Sequence, residues 1–301
     1  DFVTAPEMTP LFGAALAAPV AAMLDGSAAR EIVELGAGSG ALAASLVPAL
    51  VDAGVTVARY RIVEVSPDLR ARQQAALASL PVPVEWCDAL PQRLDGAVIL
   101  NEVLDAVPVH LVARRDGAWL ERGVRVMDGR FAFDDRPLAQ GRLRELAAAR
   151  FPPDIDYASE LNPTAEALVA TLAQRLAGGA IALLDYGFPQ AEYYHPQRSD
   201  GTLVGHYRHR VHADPFLWPG LSDLTAHVDF TAMATAGHEA GLAVAGYASQ
   251  AGLLAAAGIL DRLAAVGPPE SAAYIRAAAA VQRLLSPAEM GELFKALVLA
   301  R

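Results

Sequence analysis

Along the first hundred residues, compact apolar runs alternate with longer stretches whose apolar positions recur every three or four residues. Residues 31–35 form one such run and end in a glycine-rich turn, and the spacing from Ala41 to Val51 suits a helix. Residues 59–65 read as a second strand. Ser66 and Pro67 then supply an N-cap and a first-turn proline for a helix running to about Ser79. VPVEWCD at 82–88 and GAVILNE at 96–102 read as third and fourth strands. Strands that alternate with helices predict an α/β fold, a mostly parallel doubly wound sheet. In such sheets ligands bind beyond the carboxyl ends of the strands, where Glu34, Glu64, Asp88 and Glu102 all fall.

The alternation then breaks. From Val109 to Asp134, short β-like runs are separated by Asp116-Gly117 and Asp128-Gly129, both hairpin signals, which predicts an antiparallel insertion. A helix is expected around 137–149, a turn at FPPD (151–154), and a helix near 163–177. The last of these leads through Gly178-Gly179 into a fifth strand, AIALLDYG. Residues 187–229 are aromatic and histidine-rich without periodicity, and read as a long functional loop. A helix from about Thr231, a strand near 242–248 and alanine-rich helices close the chain. The expectation is a single domain over 1–301, with insertions at about 106–160 and 187–229 and a helical C-terminal region at about 250–301.

Charge and composition narrow the partners. The 301 residues are 53% hydrophobic and 19% charged with net charge −10, and no basic run tracks phosphates, so nucleic acid is not an expected partner. Cys87 stands alone, which excludes an internal disulfide and points to a reducing compartment. No apolar run reaches the roughly 18–20 residues of a membrane helix, so no membrane insertion is expected. The chain opens at Asp1-Phe2 without a methionine, and further residues are expected upstream. The oligomeric state is left open.

The candidate chemistry starts at IVELGAGSGAL, residues 32–42. Gly36-x-Gly38-x-x-Ala41 fits a dinucleotide fingerprint, with Gly40 between. A pyrophosphate site wants free backbone N–H groups and a helix N-terminus, and a carboxylate at Glu34 would repel that anion. The same carboxylate suits the ammonium and sulfonium of S-adenosylmethionine, which carries no phosphate. Glu64 can accept from both ribose hydroxyls of either ligand, so Glu34 is the discriminating residue. Asp88 can accept from an adenine amino group, with Ala89 or Trp86 near the ring. A nicotinamide oxidoreductase stays open as the alternative that tolerates Glu34 beside a pyrophosphate.

With these residues in view the chain resembles the MidA-like family of class I S-adenosylmethionine-dependent methyltransferases, which includes a mitochondrial enzyme that assists complex I assembly. The words that carry the resemblance are DFVTAPEMTPLFG (1–13), VELGAGSGAL (33–42), NEVLDAVPVH (101–110), LLDYG (183–187), GTLVGHYRHR (201–210) and DLTAHVDFT (223–231). They recur in order along almost the whole chain, with Pro10 standing where the family pattern has Gln. The resemblance implies a Rossmann-like class I methyltransferase fold, S-adenosyl-L-methionine as cofactor and transferase activity. For the mitochondrial relative it implies protein arginine methylation of a respiratory complex I subunit. It places a bacterial member in the cytoplasm and a eukaryotic one in the mitochondrial matrix.

An arginine acceptor stays protonated at neutral pH and needs carboxylates to fix its guanidinium and favour proton loss. Glu102 and Asp105, after the fourth strand, and Asp185, ending the fifth, are the candidate catalytic residues. The alternative is that Glu102 contacts the cofactor and Asp105 caps a helix. Asn101 is a cofactor or backbone contact. Glu7 belongs either to a lid over the cofactor or to a capping box with Thr4. His206, His209 and His212 alternate faces if the segment is a strand, so no metal is expected there. Two further readings stay open: a methyltransferase for a small molecule or another protein side chain, and a non-catalytic assembly factor that keeps the cofactor fold.

Overall fold

The structure is a computed structural model that describes residues 3–208 and 210–301. The chain divides into two compact units. One, here the sheet unit, comprises residues 3–103, 170–186 and 234–301; the other, the inserted unit, comprises 104–169 and 187–233. The segments read as insertions, 106–160 and 187–229, lie within the second unit.

The sheet unit opens with α1 (Ala5–Met8), α2 (Pro10–Ala15) and α3 (Ala17–Asp25). Pro10 occupies the first turn of α2, where its missing N–H costs nothing, and the Thr9 hydroxyl caps that helix by accepting from Leu11 N at 3.3 Å. There follow β1 (Glu31–Leu35), α4 (Ala41–Asp52), β2 (Arg59–Val63), α5 (Pro67–Ala76), β3 (Val84–Cys87) and β4 (Leu94–Asn101). All five residues of β1 are buried, because β1 pairs in parallel with β2 on one side and β4 on the other. Ile32, Tyr60 and Ile99 from these strands pack with Phe12 of α2 and Leu42 and Leu46 of α4 in one core.

The inserted unit carries β5 (His110–Arg115), β6 (Ala118–Met127), β7 (Arg130–Pro137), α6 (Arg142–Arg150) and β8 (Tyr157–Leu161). The two expected hairpins form. Asp116-Gly117 and Asp128-Gly129 both have positive φ (48°/76° and 51°/76°), the backbone of a two-residue turn that matches strand twist. Strand β8 was not expected from the sequence. It pairs antiparallel with β5, giving the order β7-β6-β5-β8. Beneath this sheet Phe151 packs edge-on to Tyr157 at 5.1 Å and against Tyr194 at 5.4 Å.

Helix α7 (Pro163–Arg175) and strand β9 (Leu176–Phe188) cross from one unit to the other. Next come α8 (Gln190–Tyr193), β10 (Val204–Tyr207), β11 (Arg210–His212), β12 (Asp223–Thr225), β13 (Val228–Asp229) and α9 (Phe230–Glu239). The stretch 187–229 is therefore not one loop. It holds a three-stranded sheet ordered β11-β10-β12, and β13 runs parallel to Gly187 and Phe188. These strands are two to four residues long, too short to show a period of two.

The chain returns to the sheet unit with β14 (Ala243–Ser249), α10 (Gln250–Ala256), α11 (Ile259–Ala264), α12 (Ala272–Leu285) and β15 (Phe294–Ala300). Residues 294–300 correct the expectation of a wholly helical C-terminal region. FKALVLA has helix-favouring composition, yet it pairs antiparallel to both β9 and β14 and is buried at Phe294, Ala296, Leu297 and Leu299. The sheet order is β14-β15-β9-β4-β1-β2-β3. Among the described residues no helix is long and apolar enough to cross a membrane.

Candidate active site

The glycine turn joins β1 to α4. Gly36 N donates to Val63 O at 3.2 Å and Gly40 N to Ala37 O at 2.8 Å, so the turn is tied to β2 and closed on itself. Gly38 has φ +53°, and a Cβ there would meet no atom within 4 Å. The backbone is thus bent into a form that disfavours side chains, beside an open space. Gly40, φ +83°, is the N-cap of α4 and offers no side-chain bond to its first N–H groups, which point back toward the turn.

Glu34 sits in β1, two residues before the turn. It is 3% exposed, and its Oε2 accepts from Tyr60 OH at 2.7 Å. Burial pushes its carboxyl up to about 7, the Tyr60 hydrogen bond opposing that rise. Reading Glu34 as a standing anion therefore needs correction: its charge is conditional at neutral pH. A cation beside it would favour the ionised form and a pyrophosphate the neutral one.

Glu64 and Asp88 differ sharply. Glu64 is buried at the end of β2, with Oε1 accepting from Ser66 N at 2.9 Å and Oε2 from Gln73 Nε2 at 3.0 Å. Each oxygen keeps a lone pair for a ribose hydroxyl. Asp88, one residue past β3 and beside Ala89, is exposed and ion-paired with Arg70, whose Nη2 also donates to Glu64 O at 2.8 Å.

Gln73 was missed from the sequence and organises this half of the site. Fully buried in α5, it donates to Gly38 O and Glu64 Oε2, both at 3.0 Å, and its Oε1 accepts from Trp86 Nε1 at 3.0 Å. One amide thus links the turn, Glu64 and the third strand. The available signal was position: Gln73 lies with Leu69 and Leu77 on the stripe a helix turns inward.

At the end of β4, Glu102 has φ +53°, an unusual backbone for a side chain of this size. Two bonds to β9 hold it: Glu102 N donates to Leu184 O at 2.8 Å, and Val103 N to Asp185 Oδ2 at 3.2 Å. Asp185 is 1% exposed and its other oxygen accepts from Tyr186 N at 2.9 Å, so this carboxylate braces the turn after β4. Glu102 Oε1 accepts from Ala5 N at 3.0 Å and from Asn101 Nδ2 at 3.2 Å, which docks α1 onto the end of β4. Glu7 completes the capping box of α1, its Oε2 accepting from Thr4 N at 3.3 Å. Gly36, Gly38, Gly40, Glu34, Glu64, Asp88, Ala89, Asn101, Glu102, Asp185 and Glu7 all lie in the sheet unit, whereas Asp105 falls in the inserted unit, where it is buried.

His209 lies outside the described residues. His212 bonds locally, to Asp214 O at 2.8 Å and Ser222 Oγ at 3.2 Å. His227 stacks on Phe188 at 5.3 Å, and burial, helped by the nearby Arg198 charge, lowers its pKa to about 4.

Comparison with known proteins agrees with this geometry. Residues 14–248 match the profile of an S-adenosyl-L-methionine-dependent methyltransferase family. The mouse mitochondrial protein arginine methyltransferase NDUFAF7 is 30% identical over 270 residues, covering 77% of this chain and 58% of the relative. The zebrafish protein of that name is 30% identical over 267 residues, with 77% and 60% covered. The chain thus spans about three fifths of the length of these curated relatives. A superfamily member from Burkholderia thailandensis, crystallised with S-adenosyl-homocysteine, is 50% identical with a TM-score of 0.94, covering 100% of this chain and 79% of that one. An open glycine cradle between two buried strand-end carboxyls, in a chain half identical to a protein holding S-adenosyl-homocysteine, makes this chain a member of the MidA-like family of class I methyltransferases, with S-adenosyl-L-methionine as its cofactor.

Proposed function

We propose that this methyltransferase modifies an arginine side chain of a protein acceptor, a respiratory complex I subunit or a protein similar to one. The single observation that carries the proposal is Glu102: a carboxylate on a left-handed backbone at the end of β4, braced by Leu184 O and Asp185. A strained, over-determined residue at the carboxyl end of a central strand is where such a fold keeps its chemistry. The curated relatives are named protein arginine methyltransferases, which agrees with an acceptor that needs a carboxylate.

The bound cofactor supplies an electrophilic methyl group on a sulfonium. The Gly36–Gly40 turn would let the backbone approach it, with Gly38 leaving the space. Glu34, ionised by a neighbouring ammonium or sulfonium, would face its charged end. Glu64 would accept from the ribose hydroxyls, and Asp88 with Ala89 would meet the adenine edge. Asn101 and Glu7 would close the rim, Asn101 through its bond to Glu102. The Glu102 carboxylate would orient the guanidinium and accept its proton as the methyl transfers. Asp185 would act through the Val103 amide, as a positioning residue.

The test is transfer of labelled methyl into candidate acceptor proteins, followed by acid hydrolysis and chromatography for methylarginine. Label in methylarginine is the expected result, and label confined to small molecules or to other residues overturns the proposal. Glu102→Gln should lower turnover at least tenfold while the Kd for S-adenosyl-homocysteine stays within threefold. Unchanged turnover removes Glu102 from the chemistry.

A further inference from the structure

Gln73 is fully buried, yet it is a polar side chain on the inward face of α5. Burying an amide is unfavourable unless its donors and its acceptor are met. All of them are met inside the sheet unit: Nε2 donates to Gly38 O and Glu64 Oε2, and Oε1 accepts from Trp86 Nε1, each at 3.0 Å. The Gly38 carbonyl can only accept and the Trp86 indole can only donate, so the amide has one orientation. Turned over, it would set oxygen against oxygen at Gly38 and N–H against N–H at Trp86. Its N–H groups are therefore held toward Glu64.

The three partners lie in the turn after β1, at the end of β2 and in β3, strands that run parallel side by side. The carboxyl ends of such strands are where this kind of sheet receives a ligand. Helix α5 holds that edge with one face. Arg70, three residues before Gln73, donates from Nη2 to Glu64 O at 2.8 Å, and Leu77, four residues after it, packs where a Cβ on Gly40 would lie, at 3.4 Å. Arg70 thus fixes the main chain of Glu64, and Gln73 fixes its carboxyl. Ser66 N donates to the other oxygen, Oε1, at 2.9 Å, so both oxygens are held in place. Each keeps a lone pair, and two such acceptors on one carboxyl complement two neighbouring hydroxyls.

We propose that Gln73 is a positioning residue which, by aiming the Glu64 carboxyl, sets how strongly the site grips the vicinal ribose hydroxyls of the cofactor. The proposal rests on the placement of the cofactor at the Gly36–Gly40 turn given above. Gln73 has no exposed surface of its own, so it acts through Glu64 and the Gly38 peptide rather than on the ligand. An apolar side chain of similar length fills the same volume, but it leaves Glu64 Oε2 without its donor and lets the carboxyl rotate. A site that must order this group on binding loses affinity for what the group holds. The loss therefore falls on the hydroxyls and not evenly on the whole ligand.

Calorimetry on the full chain compares S-adenosyl-homocysteine with its 2′,3′-dideoxy analogue. Both ligands share the adenine and the amino-acid end, so the gap between their affinities isolates the hydroxyls. In the parent the analogue should bind roughly thirtyfold more weakly, the scale of hydrogen bonds to a charged group. In Gln73→Met, S-adenosyl-homocysteine should lose at least tenfold in affinity while the analogue stays within threefold, so the gap closes. Circular dichroism reports whether the fold is kept. Trp86→Phe removes only the bond that orients the amide and should narrow the gap about threefold; it carries the test if Gln73→Met does not fold. Equal weakening of both ligands would make Gln73 a purely structural residue and overturn the proposal, as would an unchanged gap in a folded variant. Glu64→Gln distinguishes the two ways to fail. If it closes the gap and Gln73→Met does not, the cofactor placement stands and the role of Gln73 falls. If neither closes the gap, Glu64 does not meet the ribose, and the cofactor placement falls as well.

Discussion

Both units bury carboxyls, and they differ in how many donors hold each one. In the sheet unit, strand-end carboxyls are buried at Glu34, Glu64 and Asp185, each held by one or two named donors. Its glycine turn leaves space at Gly38, where a Cβ would meet nothing within 4 Å. In the inserted unit the buried carboxyl of Glu160 collects four donors, from Thr202, Leu203 and Tyr193. A site that must select a charged small molecule keeps its polar groups dry and few.

The sharpest way to break this comparison is Gly38→Val. A β-branched residue at φ +53° is strained by roughly 1–2 kcal/mol and fills the open space beside the turn. Calorimetry should show S-adenosyl-homocysteine binding weakened more than a hundredfold, with unchanged circular dichroism. Near-normal affinity would move the cofactor away from the turn.

Glu160→Ala comes next. Glu160 is 2% exposed and accepts from Thr202 N at 2.8 Å, Leu203 N at 2.9 Å, Thr202 Oγ1 at 3.1 Å and Tyr193 OH at 3.1 Å. Its loss strands those donors and should destabilise the inserted unit by about 3 kcal/mol, read by denaturant titration. Binding of S-adenosyl-homocysteine should stay within threefold of the parent. A loss of cofactor affinity would show that the two units do not divide the work as described.

The smallest effect is a pH slope. With its carboxyl raised from 4.5 to about 7, Glu34 holds a proton in the folded chain that the unfolded chain has already released. Between those values the native state binds more protons, so unfolding free energy falls as pH rises from about 5 to 8. The shift corresponds to at most about 3 kcal/mol. Glu34→Gln should flatten the Glu34 part of that slope. Asp229, which burial raises to about 6, contributes a slope of the same sign that Asp229→Asn should remove. An unchanged slope in Glu34→Gln would mean that Glu34 is ionised in the cofactor-free chain.

Much of the sheet unit was legible beforehand because its signals are local. The compact apolar runs became β1, β2, β3 and β4, and Ser66-Pro67 capped α5 with Ser66 Oγ accepting from Leu69 N at 3.4 Å. The hairpins at Asp116-Gly117 and Asp128-Gly129 were legible for the same reason: each turn is encoded by two adjacent residues. Gln73 and Tyr60 escaped notice because a polar residue on an inward face announces no partner. Their partners, Gly38 and Glu34, lie 35 and 26 positions away.

The sequence by itself determined the alternation of strands and helices, the bent glycine turn and the acids that close each strand, because all of these depend on neighbours within a turn or two of chain. Only the tertiary structure decided that helix-like residues 294–300 run as β15, that Glu34 is a titrating acid and that Asp185 braces the Glu102 turn. Those outcomes follow from burial and from pairing across long stretches of chain, and desolvation has no value until the distant residues that exclude water are in place.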